Sequence, residues 1–132
     1  MVLEALENAL RTPKAEAWHT GAGDLTIEHV MPQGWEQHWP LLDPDDTDAA
    51  DARRRLIQTI GNLTLVNTKL NPALSNAAWE LKRTELHKHS VLYLNKQLLD
   101  RWSERWDEDT INERSRRLAD LAISCWPRPN SA

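Results

Sequence analysis

The sequence has no phenylalanine, one tyrosine and one cysteine. A lone thiol, Cys125, excludes an internal disulfide and a cysteine-rich zinc site. No run of 18 apolar residues occurs, so no membrane-spanning helix is expected. The opening MVLEALENALRTPKAEAW carries Glu4 and Glu7 where a secretory leader needs a basic flank and an apolar centre. The expected location is therefore cytoplasmic. No GxxxxGK[ST] loop is present, so no nucleotide site is expected in this chain. The acidic stretch DPDDTD lacks the glycine and the terminal glutamate of a calcium loop. Nor is there an excess of basic residues: 16 Lys and Arg face 20 Asp and Glu, a net charge of −4. That sign argues weakly against general affinity for nucleic acid.

The charge is unevenly spread. Residues 1–50 hold two basic and ten acidic side chains, a net of −8, so the remainder carries +4 and leaves room for a basic face. The 132 residues suit one domain, 1–132, with a modest core. Seven tryptophans supply the large apolar groups. Most should be core, and the Trp35 and Trp39 pair reads as packing rather than base stacking.

Periodicity divides the chain. VLEALENAL reads as a helix ended near Thr12 and Pro13. Residues 25–31, LTIEHVM, and 63–66, LTLV, read as strands. Residues 48–60 look helical, with Leu56, Ile57 and Ile60 on one side, and DPDDTD is a loop or the approach to that helix. A helix over 77–88 follows, with Ser75 a candidate cap, Pro72 suited to a first turn, and Trp79, Leu81 or Lys82, and Leu86 setting its faces. Residues 90–102 continue it or begin another. WDEDTINERSRRLADLAISCW is the clearest helix. Thr110 and Glu113 have capping-box spacing there, and Ile111, Leu118, Leu121 and Trp126 form its apolar side. The expected class is α+β: a mostly helical domain around a two-stranded antiparallel ribbon crossed by a helix. The core motif spans about 25–88, with C-terminal helices over 91–126.

The stretch TIEHVMPQ puts an acid and an imidazole inside a strand that Pro32 stops. Histidine suits activation of a water near neutral pH. A carboxylate such as Glu28, with amide oxygens from Asn62 or Asn71, suits a hard divalent cation, Mg²⁺ rather than zinc. Adjacent strand residues point to opposite faces, so Glu28 and His29 share a site only if the strand bends or ends there. The following Gly34 is compatible with that.

IEHVMPQ, IGNLTLVNTKLN, SNAAWELK and the C-terminal helix together resemble the HNH-type (ββα-metal) nuclease domain at the C-terminal end of GmrSD-like, modification-dependent restriction endonucleases. The resemblance covers roughly residues 16–128. It implies a metal-dependent DNA endonuclease domain, the cleavage module of an antiphage restriction system. It also implies one divalent ion, Mg²⁺ or Mn²⁺, and an N-terminal ParB-like nucleotide-hydrolysing domain or partner subunit that recognises modified DNA.

On that resemblance His29 is the general base, Glu28 and Asn71 are metal ligands, and Asn62 orients the histidine or braces the loop. Lys82 contacts a phosphate from the helix. Asn76 and Arg53, Arg54 and Arg55 are candidate DNA contacts. His19, His38, His87 and His89 are expected outside the metal's direct ligands. Plainer roles stand beside these: His29 as an ordinary strand-end histidine, Glu28 as a non-ligand, Asn62 as a turn former after Gly61, and Asn71 as a cap before Pro72. Asn76 has a purely structural rival, and the lysine and arginines have one as a solvated helix face. Competing functions are a catalytically silent DNA-binding or assembly module, and an RNA-cleaving nuclease with the same site, since phosphate chemistry does not read bases.

Overall fold

The computed structural model describes residues 2–10, 25–67 and 75–125. The end of the first helix near Thr12 and Pro13, the turn 19–24, Asn71, Pro72 and Trp126 lie outside them. Among the described residues five α-helices and two strands follow in order: α1 (Val2–Leu10), β1 (Leu25–His29), α2 (Thr47–Leu56), β2 (Leu63–Asn67), α3 (Trp79–His89), α4 (Tyr93–Trp102) and α5 (Glu108–Cys125). One-turn 3₁₀ segments occupy Trp35–Gln37 and Ile60–Asn62. The strands form an antiparallel pair in which Leu25 faces Asn67, Glu28 faces Thr64 and His29 faces Leu63. The architecture is the expected mostly helical α+β domain, with two strands and then a helix.

Two larger apolar clusters pack around the strand pair, and a smaller one joins Val66 to Leu86. The first gathers Trp35, Trp79, Trp102 and Trp106 with Val30, Met31, Ile57, Leu98 and Ile111, and Trp39 packs against it. Trp79 and Trp106 lie 5.4 Å apart, and Trp102 meets Trp106 edge-on at 6.2 Å. Tryptophan does here what phenylalanine cannot, because each ring also carries a donor. Trp39 Nε1 donates to the Trp106 carbonyl at 2.7 Å, Trp79 Nε1 to the Ser103 carbonyl at 3.2 Å, and Trp102 Nε1 to Glu113 Oε2 at 3.2 Å. The second cluster joins Leu3 and Leu6 of α1 to Leu65, Leu92, Leu94 and Leu118.

Several boundaries differ from the periodicity, each for a local reason. β1 stops at His29 rather than at residue 31, because the Asn62 side chain replaces the next rung of the ladder. Met31 N donates to Asn62 Oδ1 at 2.8 Å, and Asn62 Nδ2 donates to the Met31 carbonyl at 2.9 Å. α2 ends at Leu56 rather than at residue 60, since Asn62 Nδ2 also takes the Ile57 carbonyl at 3.0 Å and Thr59 Oγ1 takes that of Leu56 at 2.7 Å. DPDDTD is the approach to α2: Asp46 caps it, accepting from Ala49 N at 3.0 Å. Ser75 does not cap α3, which starts after Ala78 without a side-chain cap. Residues 90–102 begin a new helix. Its first amides, Tyr93 N and Leu94 N, donate at 2.9 Å each to the buried carboxylate of Glu7. α5 begins three residues earlier than the Thr110 and Glu113 spacing suggests. Asp107 and Thr110 exchange bonds at its start, at 2.8 and 3.0 Å.

α5 presses on the Ile60–Asn62 turn. Arg114, buried in its apolar stripe, donates to the carbonyls of Gly61 at 3.1 Å and Leu63 at 2.6 Å, and burial pushes its guanidinium down to about 9. Gly61 N donates to Ser115 Oγ at 2.9 Å. A Cβ on Gly61 would stand 2.1 Å from the Ile111 carbonyl oxygen and 2.2 Å from Ser115 Oγ. Only a residue without a side chain allows this approach. Gly61→Ala is therefore expected to lower the unfolding free energy by ~1–3 kcal/mol through overpacking, read from urea denaturation. An unchanged midpoint would mean that α5 stands off this turn.

Candidate functional site

Glu28 and His29 are the last two residues of β1, paired opposite Thr64 and Leu63, and the chain bends at Val30 directly after them. Both line one open groove of about 310 Å³ with Ile27, Pro32, Gln33, Ser75 and Asn76. The turn carrying Gly34 lies against Asn76, so that a Cβ there would stand 3.3 Å from Asn76 Oδ1. Glu28, His29 and Asn76 are thus brought together. Asn71 lies outside the described residues.

Glu28 is 6% exposed, and its carboxylate lies against the 1% exposed Lys82 of α3. The Nζ to Oε1 separation is 3.8 Å, longer than a hydrogen bond. Lys82 Nζ spends its close contact on the His29 carbonyl instead, at 2.8 Å. Glu28 Oε2 is left buried without a hydrogen-bond partner among the described residues. Burial raises the Glu28 carboxyl above its ordinary range, with Lys82 the principal opposing influence. Burial lowers the Lys82 ammonium to about 8, opposed by Glu28. Each charge makes the other tolerable, and neither is fully compensated.

Two expected roles change. Lys82 does not project from α3 toward a phosphate. It lies inward beneath the end of β1, while its neighbour Leu81 is 48% exposed. Arg53 does not offer a phosphate contact either. It is 7% exposed, bonded to Glu108 at 2.9 Å and to the Trp39 carbonyl, and it stacks 4.7 Å over Trp35. Arg54 is exposed and pairs with Asp51, and Arg55 is exposed. Asn62 does not line the groove; its amide is enclosed in the turn, where Trp106 Nε1 also donates to it at 2.9 Å.

Other features had no local signature. Gln58, in the turn after α2, places Oε1 3.0 Å from His29 Nε2 across 29 residues of sequence. A basic cleft of about 360 Å³ is lined by Arg83, His87 and Lys88 of α3, with Asp100 opposite.

No group of three or more His, Cys, Asp or Glu side chains able to hold a metal ion occurs among the described residues. Glu28 carries one buried carboxylate oxygen without a hydrogen-bond partner among the described residues, and Gln33 and Asn76 also line the groove. That donor set does not suit zinc. It suits a hard cation that keeps most of its water.

The profile of one protein family, described as GmrSD restriction endonucleases, C-terminal domain, matches residues 1–121. No curated protein and no solved structure matches the chain. Among the described residues no helix is long and apolar enough to cross a membrane.

The buried pair has a signature in stability. Between about 8 and the ordinary 10.5, the unfolded chain keeps a proton that folded Lys82 has lost. The unfolding free energy therefore rises with pH across that window through this group. The raised Glu28 carboxyl acts in another window: its contribution is complete below its ordinary 4.5 and is lost as pH rises through the higher folded value. Wild type is expected to gain stability relative to Lys82→Met as pH rises from 8 to 10.5, read by urea unfolding at each pH. A constant difference would show that the buried amine keeps its ordinary proton affinity.

Proposed function

The chain belongs to the family of C-terminal domains of GmrSD restriction endonucleases, and on that premise we propose that it is a metal-dependent DNA endonuclease domain of the HNH type, the cleavage module of an antiphage restriction system. The observation that carries this reading is the meeting of Glu28 and His29 in one open groove at the end of β1.

In the proposed reaction His29 takes the proton of a water aimed at a backbone phosphate. The water oxygen bonds to phosphorus as the bond to the leaving sugar oxygen breaks. Glu28, through its unpartnered oxygen, would hold one divalent ion, Mg²⁺ or Mn²⁺, with Asn71 the proposed second ligand. Such an ion, when bound, supplies charge neutralisation at the phosphate. Lys82 and Asn62 are positioning residues. Lys82 fixes the His29 carbonyl and favours the charged form of Glu28, and Asn62 sets the bend that follows. Phosphate contacts fall to Asn76, Arg54, Arg55 and the basic cleft at Arg83, His87 and Lys88.

The silent-module reading draws on one observation, the Lys82 ammonium 3.8 Å from Glu28 Oε1, which competes with a cation for that carboxylate. Cleavage of plasmid DNA separates the two. His29→Ala is expected to slow cleavage by about 10²–10⁴-fold with an unchanged melting temperature, since the imidazole serves as base and is not core. A folded variant cutting at the wild-type rate would remove His29 from the mechanism. Exhaustive chelation should abolish cleavage, and Mg²⁺ or Mn²⁺ should restore it. Undiminished activity after chelation would exclude the metal. Parallel assays on RNA decide the nucleic acid.

Specificity is proposed to come from a ParB-like nucleotide-hydrolysing domain or partner subunit. The negative net charge gives this chain a poor long-range attraction for DNA, and phosphate contacts read no sequence. Titration of modified and unmodified duplexes of one sequence should give equal, salt-sensitive affinities. A preference of about tenfold, ~1.4 kcal/mol, would show that this domain reads the modification itself.

A further inference from the structure

His29 is held from the side by a residue that none of the motifs contains. Its Nε2 lies 3.0 Å from Gln58 Oε1. An amide oxygen only accepts, so the ring nitrogen facing it carries the hydrogen. In the neutral ring the other nitrogen, Nδ1, then keeps its lone pair. The general base of a water must present such a lone pair, and a ring turned about its own bonds presents it in the wrong place.

The two partners come from segments far apart in sequence, yet one buried side chain holds both. Asn62 Nδ2 donates at 3.0 Å to the carbonyl of Ile57, the residue before Gln58. The same amide binds Met31, two residues after His29, through its N at 2.8 Å and its carbonyl at 2.9 Å. Val30 N donates to the Asn62 carbonyl at 2.9 Å. Gln58 N is itself turned back on the Arg55 carbonyl at 3.2 Å. The separation between Gln58 and His29 is therefore set by a closed frame.

We propose that Gln58 is a positioning residue that fixes His29 as the Nε2–H tautomer, with Nδ1 as the proton acceptor, and that Asn62 holds Gln58 and His29 in register. The part concerning catalysis rests on the reading of His29 as general base. The part concerning the ring does not.

Gln58 is exposed, so its variants keep the core intact. The experiment compares wild type, Gln58→Leu and Gln58→Glu, with thermal melting as the check on folding. Nitrogen-edited NMR of the imidazole is the first readout. The His29 Nε2–H proton should be protected in wild type and Gln58→Glu, which keeps an acceptor, and lost to exchange in Gln58→Leu. Identical ring spectra in all three proteins would overturn the proposal. Plasmid cleavage is the second readout. Gln58→Leu should lower kcat by about tenfold to a hundredfold, as expected for a misplaced base, with KM little changed. Gln58→Glu should restore most of that loss. A loss confined to KM, or no rescue by glutamate, would overturn the positioning role. Absence of cleavage by wild type, with the ring spectra as expected, would sink the nuclease reading and leave the assignment of the ring hydrogen standing.

Discussion

The side-chain amide of Asn62 has no exposure to solvent, and the ends of β1 and α2 are both tied to it. Its oxygen accepts from Met31 N and Trp106 Nε1, and its nitrogen donates to the carbonyls of Met31 and Ile57. Both hydrogens of the amide and both lone pairs of its oxygen are thereby used. An unmet buried polar group costs ~1–3 kcal/mol, so any shift of these four partners relative to one another is opposed. That constraint ends β1 at His29, ends α2 at Leu56, and ties both to the tryptophan cluster through Trp106.

Against this satisfied centre stands an unsatisfied one. Glu28 and Lys82 are both buried, their charged atoms 3.8 Å apart, with one carboxylate oxygen lacking a partner among the described residues. Burial works against both charges, and their mutual attraction repays only part of that cost. A fold selected for stability alone would place apolar groups there. A poorly paired carboxylate next to an imidazole is the feature on which the proposed divalent-cation site rests. Arg53 is the contrasting case. Its three charge-assisted bonds to Glu108, its bond to the Trp39 carbonyl and the Trp35 face leave it closely bound, and it serves as a structural clamp between α2 and α5.

Most of the elements were readable from local patterns, since helical and strand periodicity are short-range properties. The strand candidates at 25–31 and 63–66, the helices on either side, and the packing role of Trp35 and Trp39 all depend on neighbours within a few residues. The misplacements share one origin. Leu81 and Lys82 are adjacent on α3, and nothing local decides which of them turns inward. The inward lysine is selected by a carbonyl and a carboxylate 53 and more residues away. Arg53, Arg54 and Arg55 look alike in sequence, yet only the first meets Glu108, 55 residues on. The Asp107 and Thr110 exchange, rather than Thr110 with Glu113, starts α5 because Glu113 is engaged by the Trp102 indole.

By itself the sequence determined the elements, the acid and imidazole at the end of the first strand, and the family to which the chain belongs. These are carried by residue type and short spacing, which survive without coordinates. Only the tertiary structure decided which polar groups are buried and which nitrogen of His29 is taken. It also decided that Lys82 lies beneath the site instead of facing solvent. Burial and hydrogen-bond partnership are properties of segments brought together, as Gln58 and His29 are across 29 residues, and no local pattern encodes them.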